Sequence, residues 1–172
     1  MLPAPTTTLS PIVIPGRIDG YTVQAIGDNA FKGTNVKKVY MAQTLLSIGD
    51  SAFDGCTSLE TVHFSGATET LGDYAFYECA ALKEVNLPAG MKTVGSYAFN
   101  NCMSLAGIVL PDSITSIGSY AFAGCVNLAS INYPMSLRSA GSHVYENDAK
   151  LTRIEVPEGV TRLADSAFGH SA

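Results

Sequence analysis

The sequence predicts a repeat solenoid, a fold in which short coils of similar sequence stack around one continuous core. Two observations carry this prediction. A nine-residue motif recurs at a nearly fixed interval, and a second block with the alternation of a β-strand lies between its copies. A fixed period between about 20 and 50 residues is the sequence signature of repeat architectures.

The nine-residue motif reads I-G-x-x-A-F-x-x-C and is clearest at residues 117–125. Its Ala-Phe pair begins at residues 30, 52, 75, 98, 121 and 167, and Val144-Tyr145 takes the sixth place. The successive intervals are 22 residues once and 23 residues five times. We therefore expect one stacked aromatic column in the core, formed by Phe31, Phe53, Phe76, Phe99, Phe122, Tyr145 and Phe168.

The start of this motif predicts a tight turn. Glycine at positions such as 49 and 72 permits a sharp bend or a positive φ. The Asp or Ser that follows is a good N-cap for one helical turn, and the alanine lets neighbouring coils approach closely. We expect short helical or 3-10 turns on this limb of each coil.

The second block reads L-x-x-[VI]-x-[LFYV], often followed by proline, as in residues 82–88 and 105–111. Its alternation is that of a half-buried strand, and the proline ends the strand because it cannot donate to a ladder. Stacked coils would align these strands in a parallel sheet of about seven short strands. At about 4.8 Å per strand, the array would be roughly 30 Å long.

Composition and charge limit the domain organisation and the partners. Residues 1–11 are rich in Pro and Thr and predict a flexible lead-in, whereas residues 12–172 form the repeat domain. The net charge of −5 argues against a nucleic-acid partner. No apolar run is long enough to cross a bilayer, so no membrane insertion is expected. Residues 1–8 lack the basic start and apolar core of a signal peptide, so none is expected there.

The two blocks together resemble the BspA-like leucine-rich repeat family, over about residues 12–168, and residues 20–27 look like its usual opening repeat. The resemblance implies a right-handed leucine-rich-repeat superhelix. It also implies an extracellular or cell-surface location, since members occur mainly on anaerobic bacteria and some parasitic protozoa and are associated with attachment. The chain departs from the pattern at Thr34, Tyr145 and Asp148. It also stops mid-coil at Ala172 without a polar cap, which suggests a fragment or self-association through the C-terminal coil.

Four cysteines, Cys56, Cys79, Cys102 and Cys125, occupy the same motif position. This even register favours a column of free buried thiols, since Cys packs as a small apolar residue. Disulfides between neighbouring coils remain an alternative. A zinc site is disfavoured because no close Cys pair occurs. We expect no cofactor.

No catalytic pattern accompanies the three histidines. His63, His143 and His170 lie near no Ser or Cys in an arrangement typical of nucleophilic catalysis. We expect them to be surface residues without chemistry. The sequence therefore gives no reason to expect an enzyme.

The strand block leaves one variable surface, because its outward positions differ between coils while its inward positions stay apolar. Solenoids commonly bind partners through such a surface, although these positions would also vary if they were merely solvated. The candidate residues are Lys38, Tyr40, Thr61, His63, Glu84, Asn86, Val109, Ser130, Asn132, Arg153 and Glu155. Tyr40, His63, Asn86 and Asn132 are the strongest, because aromatic and amide side chains suit recognition.

The leading hypothesis is a non-enzymatic, adhesion-type module that binds a protein or a glycan through this strand surface. Host extracellular matrix proteins are among the partners to consider. The alternative is a structural spacer or an end-to-end assembly segment of a larger surface protein.

Overall fold

The computed structural model describes residues 11–161 and residue 163, and these form a solenoid of about six turns with parallel strands. This confirms the predicted class of fold. Of the predicted lead-in, only residue 11 lies within the described residues. The predicted contact through the C-terminal coil concerns residues outside them.

Seven short strands line one side of the solenoid, as the alternation of the second block predicts. In stacking order, these strands are β1 (Ile12–Val13), β5 (Lys38–Tyr40), β7 (Thr61–His63), β9 (Glu84–Asn86), β11 (Gly107–Ile108), β13 (Ser130–Asn132) and β15 (Arg153–Glu155). We call their outward surface the strand face. The sheet is not continuous: β1, β5, β7 and β9 form one ladder, and β11, β13 and β15 form another.

A second parallel sheet, which the sequence analysis did not predict, lies one step further along each coil. It comprises β4 (Ala25–Ile26), β6 (Ser47–Ile48), β8 (Thr70–Leu71), β10 (Thr93–Val94), β12 (Ser116–Ile117) and β14 (Ser139–Ala140). Each of these strands ends at the residue directly before the motif glycine. A short antiparallel hairpin, β2 (Arg17–Ile18) with β3 (Tyr21–Thr22), precedes the first coil.

The expected helical turns are wrong: the motif limb consists of non-helical turns throughout the described residues. The residue after the Asp or Ser adopts a left-handed φ, for example 58° at Tyr74 and 57° at Tyr97, which a right-handed helix excludes. Alternate backbone donors also bond the next coil: Phe76 N–H donates to the Ala98 carbonyl at 2.8 Å, whereas Tyr77 N–H donates to the Tyr74 carbonyl of its own turn at 3.0 Å. Stacking between coils therefore replaces the local helix.

The Asp side chains act across coils for the same reason. Asp50 Oδ1 accepts the backbone N–H of Asp73 at 2.8 Å, and Asp73 Oδ1 accepts that of Ser96 at 2.7 Å. These carboxylates therefore cap the following coil rather than the turn that they begin.

The motif glycines are required by close approach rather than by a positive φ. A Cβ atom at Gly95 would lie 2.5 Å from the carbonyl carbon and oxygen of Gly72 in the preceding coil. Gly95 does not have a positive φ. Any side chain at this position would force two coils apart.

The predicted aromatic column forms the centre of the core. Its rings stack nearly parallel, with centroids 5.0 Å apart at Phe31–Phe53 and 5.9 Å apart at Phe122–Tyr145. The rings between them, Phe53, Phe76, Phe99 and Phe122, are fully buried. Phe168, the last member of the predicted column, lies outside the described residues.

The four cysteines form a second buried column as free thiols, as the register favoured. Each thiol donates to the carbonyl of the motif phenylalanine one coil back, as Cys79 Sγ does to Phe53 at 3.2 Å. Thr34 completes the column in the first coil, where its hydroxyl donates to the Phe31 carbonyl at 2.8 Å and lies 3.5 Å from Cys56 Sγ. Thr34 therefore takes the place of a cysteine at the first position of the column and ends the column with a hydroxyl group.

Candidate functional site

All eleven residues predicted for a binding surface lie on the strand face. Ten of them belong to its strands, and Val109 directly follows β11. The register aligns Lys38, Thr61 and Glu84 in one row and Tyr40, His63 and Asn86 in another. Beyond β9 the first row continues through Gly107, Ser130 and Arg153. The solenoid thus gathers residues spread over more than 100 positions into two rows.

Two of the strongest candidates form one aromatic stack near the start of the strand face. The Tyr40 and His63 rings lie 4.8 Å apart with planes inclined by 14°. Tyr40 is exposed and His63 is half-buried. One face of each ring is therefore covered by the other ring and is not available to a partner.

The other two strong candidates are engaged with the backbone. The Asn132 amide accepts the N–H of Leu110 at 2.8 Å and donates to its carbonyl at 2.7 Å. Asn86 makes the same pair of bonds to Phe64, both at 3.3 Å. Each amide joins two coils where the ladder ends, so these side chains contribute to the stacking of coils.

A groove crosses the strand face where its two ladders meet. Strands β9 and β11 lie side by side, but no ladder joins them. Gly107 leaves a gap there, since a Cβ atom at this position would meet nothing within 4 Å. Val109, beside the gap, is 75% exposed. The resulting groove has a volume of about 800 Å³.

The lining of the groove is mostly apolar and contains no aromatic residue. Leu87, Val109 and Pro111 supply much of the apolar wall, and Asn86 and Asn132 also line it. A mostly apolar concavity with few polar groups is the usual form of a binding site.

Charged groups at the groove differ in whether they are paired. Lys83 Nζ lies 3.4 Å from the Glu60 carboxylate, and Arg153 lies 3.3 Å from that of Glu155. In the part of the chain that the structure describes, Glu84 pairs with no cation. The groove therefore presents one unpaired negative charge on its β9 side.

The motif limb carries an aromatic ladder that the sequence analysis missed. Tyr74, Tyr97, Tyr120 and His143 stack in order at 4.7–4.8 Å, all with left-handed φ. Their shared motif position, two residues after the glycine, is the signal that could have revealed them. The ring of His143 packs on that of Tyr120 as the last member of this ladder. The stacking of the rings offsets the strain that a left-handed φ imposes on the backbone of these residues.

The thiols are unsuited to nucleophilic chemistry. Burial raises the pKa of Cys79 and Cys102 well above the ordinary value, so the reactive thiolate is suppressed. In the described residues, no group of three or more His, Cys, Asp or Glu side chains is arranged to hold a metal ion. No helix described here is long and apolar enough to span a membrane.

These features define a solenoid repeat protein with a grooved strand face, and comparison with known proteins identifies its family. The model of the BspA type leucine-rich repeat region matches six copies, over residues 24–147 and 57–172. This chain therefore belongs to the BspA-type leucine-rich repeat family. Comparison with curated protein sequences gives no match.

Several crystal structures of bacterial proteins are similar to this chain. The leucine-rich repeat protein of T. pallidum is 31% identical, with a TM-score of 0.82, over 84% of this chain and 68% of that one. A leucine-rich cell surface protein of Faecalibacterium prausnitzii is 26% identical, with a TM-score of 0.61, over 85% and 47%. The pneumococcal vaccine antigen PcpA shares the fold at 24% identity, with a TM-score of 0.81, over 90% and 42%. This chain thus spans less than half of the latter two.

Proposed function

We propose that this chain is a non-enzymatic interaction module of a bacterial surface protein, and that it binds a partner protein through the groove in its strand face. The groove around Gly107 and Val109 is the observation that carries the proposal. A surface location is supported by the relative described as a cell surface protein.

The lining of the groove favours a protein over a glycan. A sugar ring packs well on an aromatic face, but no aromatic residue lines the groove. Sugar hydroxyls also need several free amide or carboxylate groups. Asn86 and Asn132 already bond the backbone of the preceding coil, which leaves Glu84 as the one unpaired carboxylate of the groove among the described residues. An exposed apolar side chain such as Val109 instead suits the apolar centre of a protein interface.

Two substitutions would test the groove with little risk to the fold. Val109→Asp places a charge at its apolar wall, and Val109 is mostly exposed. Gly107→Thr fills the gap with a residue that the fold already accepts at Thr61, in the same row. Leu46→Asp, at an exposed residue before β6, and Gly27→Thr, at a glycine outside the strand face where an added Cβ would meet nothing within 4 Å, are the matched controls.

The measurement is binding of the purified chain to immobilised extracellular matrix proteins and to a glycan array. We expect a protein ligand whose binding is lost in both groove variants and retained in both controls, with thermal melts showing that all four remain folded. Equal binding by wild type and both groove variants, or binding to glycans alone, would contradict the proposal.

A further inference from the structure

The extent of the groove limits the size of what it binds. Its lining comes from β9, β11, β13 and β15 in succession, so the groove extends across these four strands. Four strands enclose three spacings, or about 14 Å at about 4.8 Å each. An extended chain covers about 3.3 Å per residue, so about four residues of peptide would fill this length.

The centre of the groove suits one large apolar side chain. Gly107 leaves the space above β11 open, and Leu87 and Val109 supply apolar walls beside it. Since the hydrophobic contribution grows with the apolar area removed from water, one large side chain seated here would be the main apolar anchor of a bound segment.

The β9 side of the groove suits a cation. Glu84 is exposed, lines the groove and has no cationic partner among the described residues, whereas Lys83 and Arg153 are paired with Glu60 and Glu155. The net charge of −5 on the chain adds a general attraction for cationic segments.

From these three features we infer that the groove binds an extended peptide segment of about four residues across the strands. One large apolar side chain of the segment packs over Gly107, and a Lys or Arg of the segment pairs with Glu84. This inference rests on the proposed function, because it specifies the chemistry of the partner at the same groove.

A random heptapeptide library displayed on phage provides the probe. Peptides are selected on the wild-type chain and then sorted by whether their binding survives Gly107→Thr. Those that depend on Gly107 are synthesised, and their affinities are measured for wild type, Glu84→Gln and Glu84→Lys. Glu69→Gln, which removes an exposed carboxylate paired with Lys92 outside the groove, is the control.

We expect peptides that depend on Gly107 to share a large apolar residue and a Lys or Arg within about four positions. Glu84→Gln should weaken them by up to about fivefold, the size of one exposed ion pair, and less so at high salt. Glu84→Lys should favour versions of the peptides in which the cation is changed to Glu. The control should bind as wild type does.

The two possible failures are distinguishable. Peptides that depend on Gly107 but show no charge preference, or that ignore both Glu84 substitutions, would overturn the inference and leave the groove as the binding site. If selection gives no peptide whose binding depends on Gly107, both the inference and the proposed binding of a partner protein through the groove are contradicted.

Discussion

The middle coils and the sixth coil have the same backbone fold, but the residues that form their cores differ. In the middle coils, Phe76 and Phe99 stack in a fully apolar column beside the buried thiols of Cys79 and Cys102. In the sixth coil, Tyr145 replaces the phenylalanine and Asp148 replaces the cysteine. Both polar residues are still buried, Asp148 with only 9% of its surface exposed.

The difference shows that the stacking of coils, rather than perfect apolar packing, determines the fold of the sixth coil. Tyr145 keeps its place in the column, 5.9 Å from Phe122. Asp148 is less well accommodated, since neither of its buried carboxylate oxygens makes a hydrogen bond of good geometry with a described residue, although the backbone amides of Gly124 and Cys125 lie close enough to favour the charged form. Burial raises the pKa of Asp148 from 3.8 to about 7. The sixth coil is therefore expected to be less stable than the middle coils.

The largest expected effect comes from removing a middle ring. Phe76→Ala or Phe99→Ala empties a fully buried position between two stacked rings and should cost about 3–5 kcal/mol. Tyr145→Ala should cost less, because the core around it already contains a polar group. Chemical denaturation monitored by circular dichroism measures all three. Equal losses in the free energy of unfolding would mean that the cores of the middle coils and of the sixth coil contribute equally to stability.

The next largest loss of stability is expected from a substitution at a motif glycine, where two coils approach closely. Gly95→Ala would press a methyl group into the backbone of Gly72 and should cost about 1–3 kcal/mol, the usual range for overpacking. Gly27→Ala is the control, because this first motif glycine has nothing within 4 Å of an added Cβ. Similar stability of the two variants would disprove the requirement for close approach.

The sixth coil should also give a pH-dependent signal. Below pH about 4, Asp148 is protonated in both the folded and unfolded states. From about pH 4 to 7 the folded chain holds the proton that the unfolded chain releases, so the contribution of Asp148 to stability falls as pH rises. Above pH 7 the loss is complete.

The substitution Asp148→Cys tests this pH dependence, because it introduces the cysteine that the middle coils have at the same motif position. It should raise stability at pH 8 by about 1–2 kcal/mol, since a buried carboxylate that is ionised at this pH is removed. The gain should shrink toward pH 4, which thermal melts across this range would measure. A gain independent of pH would mean that ionisation of Asp148 is not the cause.

The smallest effect concerns reactivity rather than stability. The four thiols should resist iodoacetamide in the folded chain and all react after unfolding without reductant, because they are buried and free. Mass spectrometry of partly labelled protein should show Cys125 modified before Cys79 and Cys102, since Cys125 lies next to the sixth coil. Fewer than four reactive thiols after unfolding would show that some are oxidised, and early labelling of Cys79 would reverse the predicted order of stability.

The predictable part of the candidate site is its location. Alternation along each strand block fixes which side chains point outward, so Lys38, Glu84 and Arg153 could be assigned to one surface without coordinates. The groove could not be found in this way. It depends on the break between β9 and β11 and on the bonds of Asn132 to the backbone of Leu110, one coil away.

The sequence by itself determined the repeat, the inward columns and the outward rows, because a period of 23 residues assigns each residue the same place in every coil. Only the tertiary structure decided which neighbour each polar group contacts. The carboxylate of Asp73 caps the next coil instead of its own turn, and Tyr97 adopts a left-handed φ between two stacked rings. These outcomes follow from hydrogen bonds and contacts between coils, which are distant in sequence and only about 5 Å apart in space.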